Sequence, residues 1–293
     1  MDIKKVVITA AGLGTRLLSF TKEMPKEMLP LFCVGSNGDL LLKPVLQLIF
    51  EQLYEVGFRE FCFIVGRGKR SIEDHFTPDF SYVELLRRRG KEGLAMELEE
   101  FYRKVESSVI AWINQPEPRG FGDAVLRAEA FMDNEPFLVH AGDTYVISRG
   151  NSHIRRLLRA YEAYRPSATL TLKEVSDPRK LYGCAKVEID EPVMKVVYVV
   201  EKPERPPSNL AIMPIYIFEP EIFNVIKEIG PGVGGEIQLT DAIQKLIEVQ
   251  KPVRAIKLRE DEVRLDVGTP ETYWEALATS YRHAKGGLNT ENI

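Results

Sequence analysis

Four short apolar runs rich in β-branched and aromatic residues punctuate the first half of the chain: Val6–Thr9, Phe61–Val65, Val109–Ile113 and Phe137–His140. Each has the length of a strand and lacks polar alternation, the pattern of a strand covered on both faces. Segments of helical periodicity lie between them. Pro44 suits a first helical position, Val45, Leu48, Ile49, Leu53 and Val56 recur at helical spacing, and Gly57 stands where a C-terminal cap belongs. A second helix is predicted from near Gly122 through Val125, Leu126 and Phe131. This alternation predicts an α/β fold with a Rossmann-like, mixed but mostly parallel sheet and helices on both faces.

The second half is less regular. Thr169–Val175, Ala185–Ile189, Val196–Val200 and Ile212–Phe218 read as strands with little helix between the middle ones, which predicts antiparallel pairing. Helices are expected over Glu221–Ile229 and Ile237–Val249, then a short strand ending near Leu265. A last helix starts at Thr269-Pro270 and carries Tyr273, Trp274, Ala276 and Leu277, and Gly286 to Ile293 reads as a frayed tail. With no internal repeat and no long linker, residues 1–285 are expected to form a single domain with halves of about 1–150 and 151–285, followed by a tail over 286–293.

The 39 Lys and Arg against 43 Asp and Glu leave a net charge of -4, which argues against a nucleic-acid partner. Arg87-Arg88-Arg89 and the acidic run at Glu97, Glu99 and Glu100 read as solvated helix faces. Cys33, Cys62 and Cys184 form no CxxC pair, so a zinc ribbon or redox motif is excluded and a reducing, cytoplasmic setting is expected. No apolar run reaches the ~18 residues needed to cross a bilayer, so no membrane association is expected. The apolar stretch within Met1–Thr9 runs into Gly12-Leu13-Gly14 and reads as a first strand rather than a signal peptide.

Chemistry concentrates at strand ends. Ala10-Ala11-Gly12-Leu13-Gly14-Thr15-Arg16 follows the first strand, and its glycines let backbone N–H groups approach a phosphate or a base. No Gly-Lys-Ser/Thr follows, so it is not a P-loop, and Leu17 at the third glycine position breaks the dinucleotide fingerprint. Alone, the segment reads equally well as a plain tight turn. With Arg16 and Pro25-Lys26-Glu27-Met28-Leu29-Pro30 it makes a polyphosphate cradle, the bland alternative being two exposed surface charges. Asn114-Gln115, Gly142-Asp143, Glu201-Lys202-Pro203 and Leu265-Asp266-Val267-Gly268 each follow or close a predicted strand. Ligands of open parallel sheets bind beyond the carboxyl ends of strands, so these groups are expected to meet over one crevice.

Together these motifs resemble the sugar-phosphate nucleotidylyltransferases, of the nucleotide-diphospho-sugar transferase fold. Gly66-Arg67-Gly68-Lys69 through Ile72-Glu73-Asp74-His75-Phe76, and Gly234-Gly235-Glu236-Ile237-Gln238-Leu239-Thr240-Asp241-Ala242-Ile243, are similar to the bacterial and archaeal uridylyltransferases of that family that act on glucose 1-phosphate. The resemblance covers almost the whole chain in family order. It implies a reaction of UTP with glucose 1-phosphate giving UDP-glucose and pyrophosphate, with Mg2+ as cofactor and a homo-oligomer, dimer or tetramer, as the assembly. Carried over by position, Gln115 and the backbone near Gly120 read the uracil edge, and Ala11, Gly12 and Gly14 lie against the nucleotide. Arg16 and Lys26 hold the triphosphate and the departing pyrophosphate, and Lys202 holds the sugar phosphate. Glu201 and Gly183 contact the sugar hydroxyls, while Asp143 and Asp266 bind magnesium. The two halves of the chain then become nucleotide-binding and sugar-binding.

Electrostatics supports the assignment independently. The two substrates bring together roughly six negative charges, and each pair about 4 Å apart repels by about 4 kcal/mol at an effective dielectric of 20. Arg16, Lys26, Lys202 and a divalent ion offset that repulsion. The attacking phosphate oxygen is already ionised, so the displacement needs no general base, and His75, His140, His153 and His283 are expected to be structural or on the surface. The three cysteines are expected as small apolar fillers. A thymidylyltransferase making dTDP-glucose is the near rival. A non-catalytic nucleotide-sugar-binding subunit would have lost Arg16, Lys26, Asp143, Lys202 or Asp266, all of which are present.

The chain departs from the family pattern in three places. Phe32–Leu42 lengthens a link, with a turn signal at Ser36-Asn37-Gly38-Asp39 that predicts a surface loop, a hairpin or a contact with a neighbouring subunit. Pro214 stands where the family commonly has glycine, which bears on the shape of the sugar pocket. Thr144 follows Asp143 at a variable position.

Overall fold

A computed structural model describes residues 3–188 and 193–289. The chain runs β1 (Lys5–Ala10), β2 (Pro30–Val34), β3 (Leu40–Pro44), α1 (Val45–Val56), β4 (Glu60–Gly66), α2 (Arg70–His75), α3 (Phe80–Arg88), α4 (Glu92–Glu106), β5 (Val109–Gln115), α5 (Phe121–Leu126), α6 (Glu129–Met132), β6 (Phe137–Ala141), β7 (Thr144–Ile147), α7 (Ser152–Tyr164) and β8 (Ala168–Glu174). It continues through β9 (Cys184–Glu188), β10 (Met194–Val200), β11 (Leu210–Phe218), α8 (Glu221–Glu228), α9 (Leu239–Glu248), β12 (Val253–Lys257), β13 (Val263–Asp266) and α10 (Pro270–Asn289).

Among the described residues nine strands form one sheet in the order β5-β4-β1-β6-β11-β8-β12-β10-β9. Alternate residues of its first strands feed opposite layers, as fully buried strands require. Val6 and Ile8 of β1 and Phe61 and Phe63 of β4 enter one core with α1 and α7, while Val7, Cys62 and Val139 enter the other with α5, α8 and α9. Gly57 closes α1 at φ 121°, a conformation open to glycine, and its N–H caps the Leu53 and Tyr54 carbonyls.

Parallel pairing holds for β5, β4, β1 and β6, and again for β8 with β12. The other neighbouring pairs are antiparallel, so the sheet is evenly mixed and the predicted parallel predominance ends at β6. The cause is the short connections around β9, β10 and β11, which carry no crossover helix. The far end of the sheet curls back until β9 touches β11 at Ala211↔Cys184.

Several boundaries also differ from the sequence expectation. The helix predicted through Phe131 is two, α5 and α6, broken at Arg127-Ala128. The last helix continues to Asn289, past the Gly286 where a tail is expected, and residues 290–293 lie outside the described residues, as does Ile189 of the third predicted strand in the second half. The strands β7 and β12 escape the apolar-run criterion because one has four residues and the other interposes Arg254. The Phe32–Leu42 departure lies within the β2–β3 hairpin, which packs on α10 through Phe32 and Tyr281, ring centroids 5.2 Å apart. Pro214, which has no N–H to give a ladder, sits at a register shift in β11 between Met213 and Tyr216.

Candidate active site

Above the ends of β1, β5 and β6 lies a cavity of about 330 Å³ lined by Ala11, Gly12, Gly14, Lys26, Gln115, Gly120 and Asp143 together with Leu13, Pro118 and Phe121. Seven of the sequence-predicted groups therefore meet in one space. Gly14 adopts φ 67° and its carbonyl accepts from Leu17 N–H at 2.9 Å and Thr21 Oγ1 at 2.7 Å, which fixes the turn. A Cβ on Gly12 would stand 3.7 Å from Lys26 Nζ, so the glycine turn faces the ammonium directly.

Lys26 forms an ion pair with Asp143 Oδ2. Burial works against the Lys26 charge, but Asp143 and Glu27, with a smaller push from Asp266, raise its pKa above the ordinary lysine range. Burial favours the neutral form of Asp143, and Lys26 and Arg264 override it and hold that carboxyl below its usual range. Beneath them Lys69 Nζ pairs with Glu27 Oε2 at 3.0 Å, the Glu27 side chain being only 2% exposed. Burial pushes the Glu27 carboxyl up, against the pull of Lys69 and Lys26. Removing one partner of such a pair leaves a buried uncompensated charge, at a cost of roughly 3–5 kcal/mol. Lys69 therefore anchors the turn that delivers Lys26.

Asp266 reaches the same region from β13. The short β7–β13 ladder pairs Thr144 with Asp266, and Val267 N–H donates to the Asp143 carbonyl at 3.2 Å, so the two aspartates stand side by side although 123 positions separate them. Asp266 accepts from Arg264, from Gly268 N–H at 2.7 Å and from Thr272 Oγ1 at 3.2 Å. Arg16 lies close by, since a Cβ on Gly268 would be 3.8 Å from its Nη2. Asp143 and Asp266 both act on the Lys26 ammonium, and carboxylate oxygens are the donors that a hard divalent ion takes, so these residue types fit the expected magnesium.

The sugar-side residues form a second group. Glu201 Oε2 accepts from Thr240 Oγ1 at 2.6 Å and lies 3.6 Å, through Oε1, from Lys202 Nζ. A Cβ on Gly183 would come within 3.0 Å of both Glu201 Oε2 and Thr240 Oγ1, so a side chain there would crowd the pocket. Lys202 N–H is tied to the Tyr182 carbonyl at 3.1 Å. Arg16, Lys202, Gly183, Glu201 and Asp266 do not line the 330 Å³ cavity. Not all the predicted groups meet over one crevice: Glu201 and Lys202 follow an antiparallel strand and stand outside it, while Asp266 ends a strand outside the main sheet that the β7–β13 ladder brings beside Asp143. Arg264 joins the two groups, donating to Tyr182 Oη at 3.2 Å while paired with Asp266.

Four residues of this arrangement carry no role in the sequence reading: Glu27, Lys69, Arg264 and Asp123, whose Oδ2 accepts from Gln115 Nε2 at 2.7 Å. Two signals were available. Arg264 precedes Asp266 by two on a strand, hence shares its face, and Asp123 precedes Arg127 by four on a helix, the spacing of an ion pair. Among the described residues no histidine or cysteine lines the cavity, although His140 feels the Asp143 charge and Cys184 that of Glu201. Burial pushes His75 and His140 down to about 4 and His153 to about 3, and pushes the Cys33, Cys62 and Cys184 thiols up to about 11, 12 and 11. Cys62 and Cys184 are buried fillers, while Cys33 is only half-buried.

Residues 5–282 match the model of the nucleotidyl transferase family. The chain is 35% identical over 285 residues to the UTP–glucose-1-phosphate uridylyltransferase of Pseudomonas aeruginosa, covering 96% of this chain and 97% of that protein. It is 40% identical over 252 residues to the enzyme of the same name from Bacillus subtilis, with 85% and 82% covered. A crystal structure of UDP-glucose pyrophosphorylase complexed with UDP-glucose superposes with a TM-score of 0.81 at 32% identity, over 96% of this chain and 99% of that one. The match spans both groups of site residues and nearly every element that positions them: the chain belongs to the nucleotidyl transferase family.

Proposed function

We propose that this nucleotidyltransferase transfers the uridylyl group of UTP to glucose 1-phosphate, releasing pyrophosphate, in a single in-line displacement. The observation that carries the reading is Lys26 held on Asp143 at the mouth of a glycine turn, in a cavity that Gln115 also lines. Ala11, Gly12 and Gly14 let the backbone approach the nucleotide, and Gln115 with the Gly120 backbone reads the base. Arg16 and Lys26 hold the triphosphate and take up charge as pyrophosphate departs. Lys202 holds the sugar phosphate, and Glu201 beside Gly183 orients the sugar ring. An oxygen of the sugar phosphate forms the new bond to the α-phosphorus as the bond to the bridging oxygen of the leaving pyrophosphate breaks. Magnesium, held by Asp143 and Asp266, supplies charge neutralisation when bound.

The same reading treats residues 1–285 as one working unit, nucleotide-binding over about 1–150 and sugar-binding over about 151–285, active in the cytoplasm as a homo-oligomer. Support for the oligomer is the apolar surface where Phe20, Pro30, Tyr273, Trp274 and Leu277 line one groove and Phe32 and Tyr281 the next. Support for the compartment is the three free cysteines. Among the described residues no helix is long and apolar enough to cross a membrane.

Pyrophosphate release across UTP, dTTP and several sugar 1-phosphates, with and without magnesium, tests the reading. UTP with glucose 1-phosphate is expected to give the highest kcat/KM, and a clear preference for dTTP would overturn it. Asp143→Asn in the same assay is expected to lower kcat on the order of 10²-fold or more. Near-normal magnesium-dependent turnover would remove the metal assignment.

A further inference from the structure

We propose that Asp123 sets the base preference of the nucleotide site by fixing which way round the Gln115 amide stands. The inference rests on the reading of Gln115 as the base contact and adds the residue that gives that contact its sign. Gln115 ends β5 and Asp123 lies in the first turn of α5, and both are almost fully buried, at 4% and 3% exposure. Gln115 Nε2 donates to Asp123 Oδ2 at 2.7 Å and to the Gly120 carbonyl at 3.2 Å. An amide nitrogen has two protons, so this one is saturated. The acceptor left over, on a side chain that lines the cavity, is Oε1.

The opposite orientation is closed. Turning the amide over would set Oε1 against a carboxylate oxygen and a carbonyl oxygen, three acceptors with no proton among them. Both oxygens of Asp123 already serve as acceptors, Oδ2 from Gln115 Nε2 and Oδ1 from Arg127 Nη2 at 2.9 Å. Burial denies water the chance to bridge the mismatch.

A fixed acceptor selects a donor. Uracil presents N3–H between two carbonyls, whereas cytosine presents a bare N3 at the same place and would set lone pair against lone pair. Thymine shares the N3–H of uracil, so Asp123 selects both of these bases against cytosine and is neutral between UTP and dTTP. Discrimination between those two falls to groups that meet the ring methyl or the 2′-hydroxyl.

The test compares kcat and KM for UTP, dTTP and CTP in the full-length enzyme, its Asp123→Asn variant and its Gln115→Ala variant. Asn at 123 can donate or accept, so the amide becomes free to turn. In Asp123→Asn the kcat/KM advantage of UTP over CTP is expected to fall on the order of tenfold. The loss should lie in KM for UTP, with the UTP to dTTP ratio unmoved. Calorimetric binding of UTP and CTP reads the same ratio if turnover is too slow to measure. Collapse of the UTP to CTP ratio in both variants supports the proposal. Collapse in Gln115→Ala with the wild-type ratio retained in Asp123→Asn overturns the role of Asp123 alone. A ratio retained in Gln115→Ala removes the base contact itself, and a lower kcat with an intact ratio in Asp123→Asn would mark a merely structural residue.

Discussion

Gly120 opens the turn between β5 and α5 at φ 111°, and a Cβ there would lie 2.6 Å from the Ile237 carbonyl and 2.8 Å from the Ile237 nitrogen. The two chain segments are stitched at this point by Gly122 N–H to Ile237 O and Ile237 N–H to Arg119 O, both at 2.8 Å. Gly120→Ala meets both a left-handed backbone and a backbone clash, so it is expected to lose about 2 kcal/mol or more in urea unfolding and to raise KM for UTP through the displaced Gln115 acceptor. Single residues of this kind were legible to different degrees. The glycine turn and Lys26 announce themselves by spacing near one strand. Glu27 and Lys69 do not, because a buried ion pair between positions 42 apart depends on where α2 and the turn before β2 come to rest, which no local pattern records.

At the scale of elements, the β2–β3 hairpin and α10 form one exposed apolar face. Trp274, 69% exposed, stands between the groove of Phe20 and Tyr273 and that of Phe32 and Tyr281. Exposed apolar patches of this kind are normally covered by a partner. Trp274→Glu is expected to shift the sedimentation of the protein toward monomer by at least one assembly step, with the turnover of each chain retained. An unchanged sedimentation coefficient would remove the proposed homo-oligomer contact from this face. Elements in the first half were readable because their strands are buried on both faces and separated by amphipathic helices. The second half was readable as strands, and the lack of helix between the middle ones predicted the antiparallel pairing that β9 with β10 and β8 with β11 show. The order of the strands in the sheet was not readable. Direction follows there from the short connections, which the sequence displays, whereas strand order and the register shift at Pro214 are long-range properties of the sheet.

The whole molecule keeps three histidines neutral inside it. His140 Nε2 and His153 Nε2 are buried with no hydrogen-bond partner among the described residues, and His75 Nε2 meets Gln47 Oε1 at 2.9 Å. Their folded pKa values of about 4, 3 and 4 lie below the 6.5 of an unfolded histidine. Stability from this source is therefore complete above pH 6.5 and drains away as the pH falls toward 4, where the unfolded chain binds protons that the folded one refuses. Each histidine should contribute a slope of roughly 1 kcal/mol per pH unit in that window. Urea titrations from pH 7 to 4 are expected to show that steepening, and His153→Gln should flatten it.

The curl that brings β9 against β11 at Ala211 and Cys184 has a consequence for how such an enzyme changes over time. Under the proposed function, donor recognition falls at the ends of β1, β5 and β6 and acceptor recognition on the folded-over margin of the same sheet, with Arg264 tied to both sides through Asp266 and Tyr182. Mutational drift on the margin can retune the acceptor while the donor machinery keeps its geometry, a modularity achieved without any linker to cut.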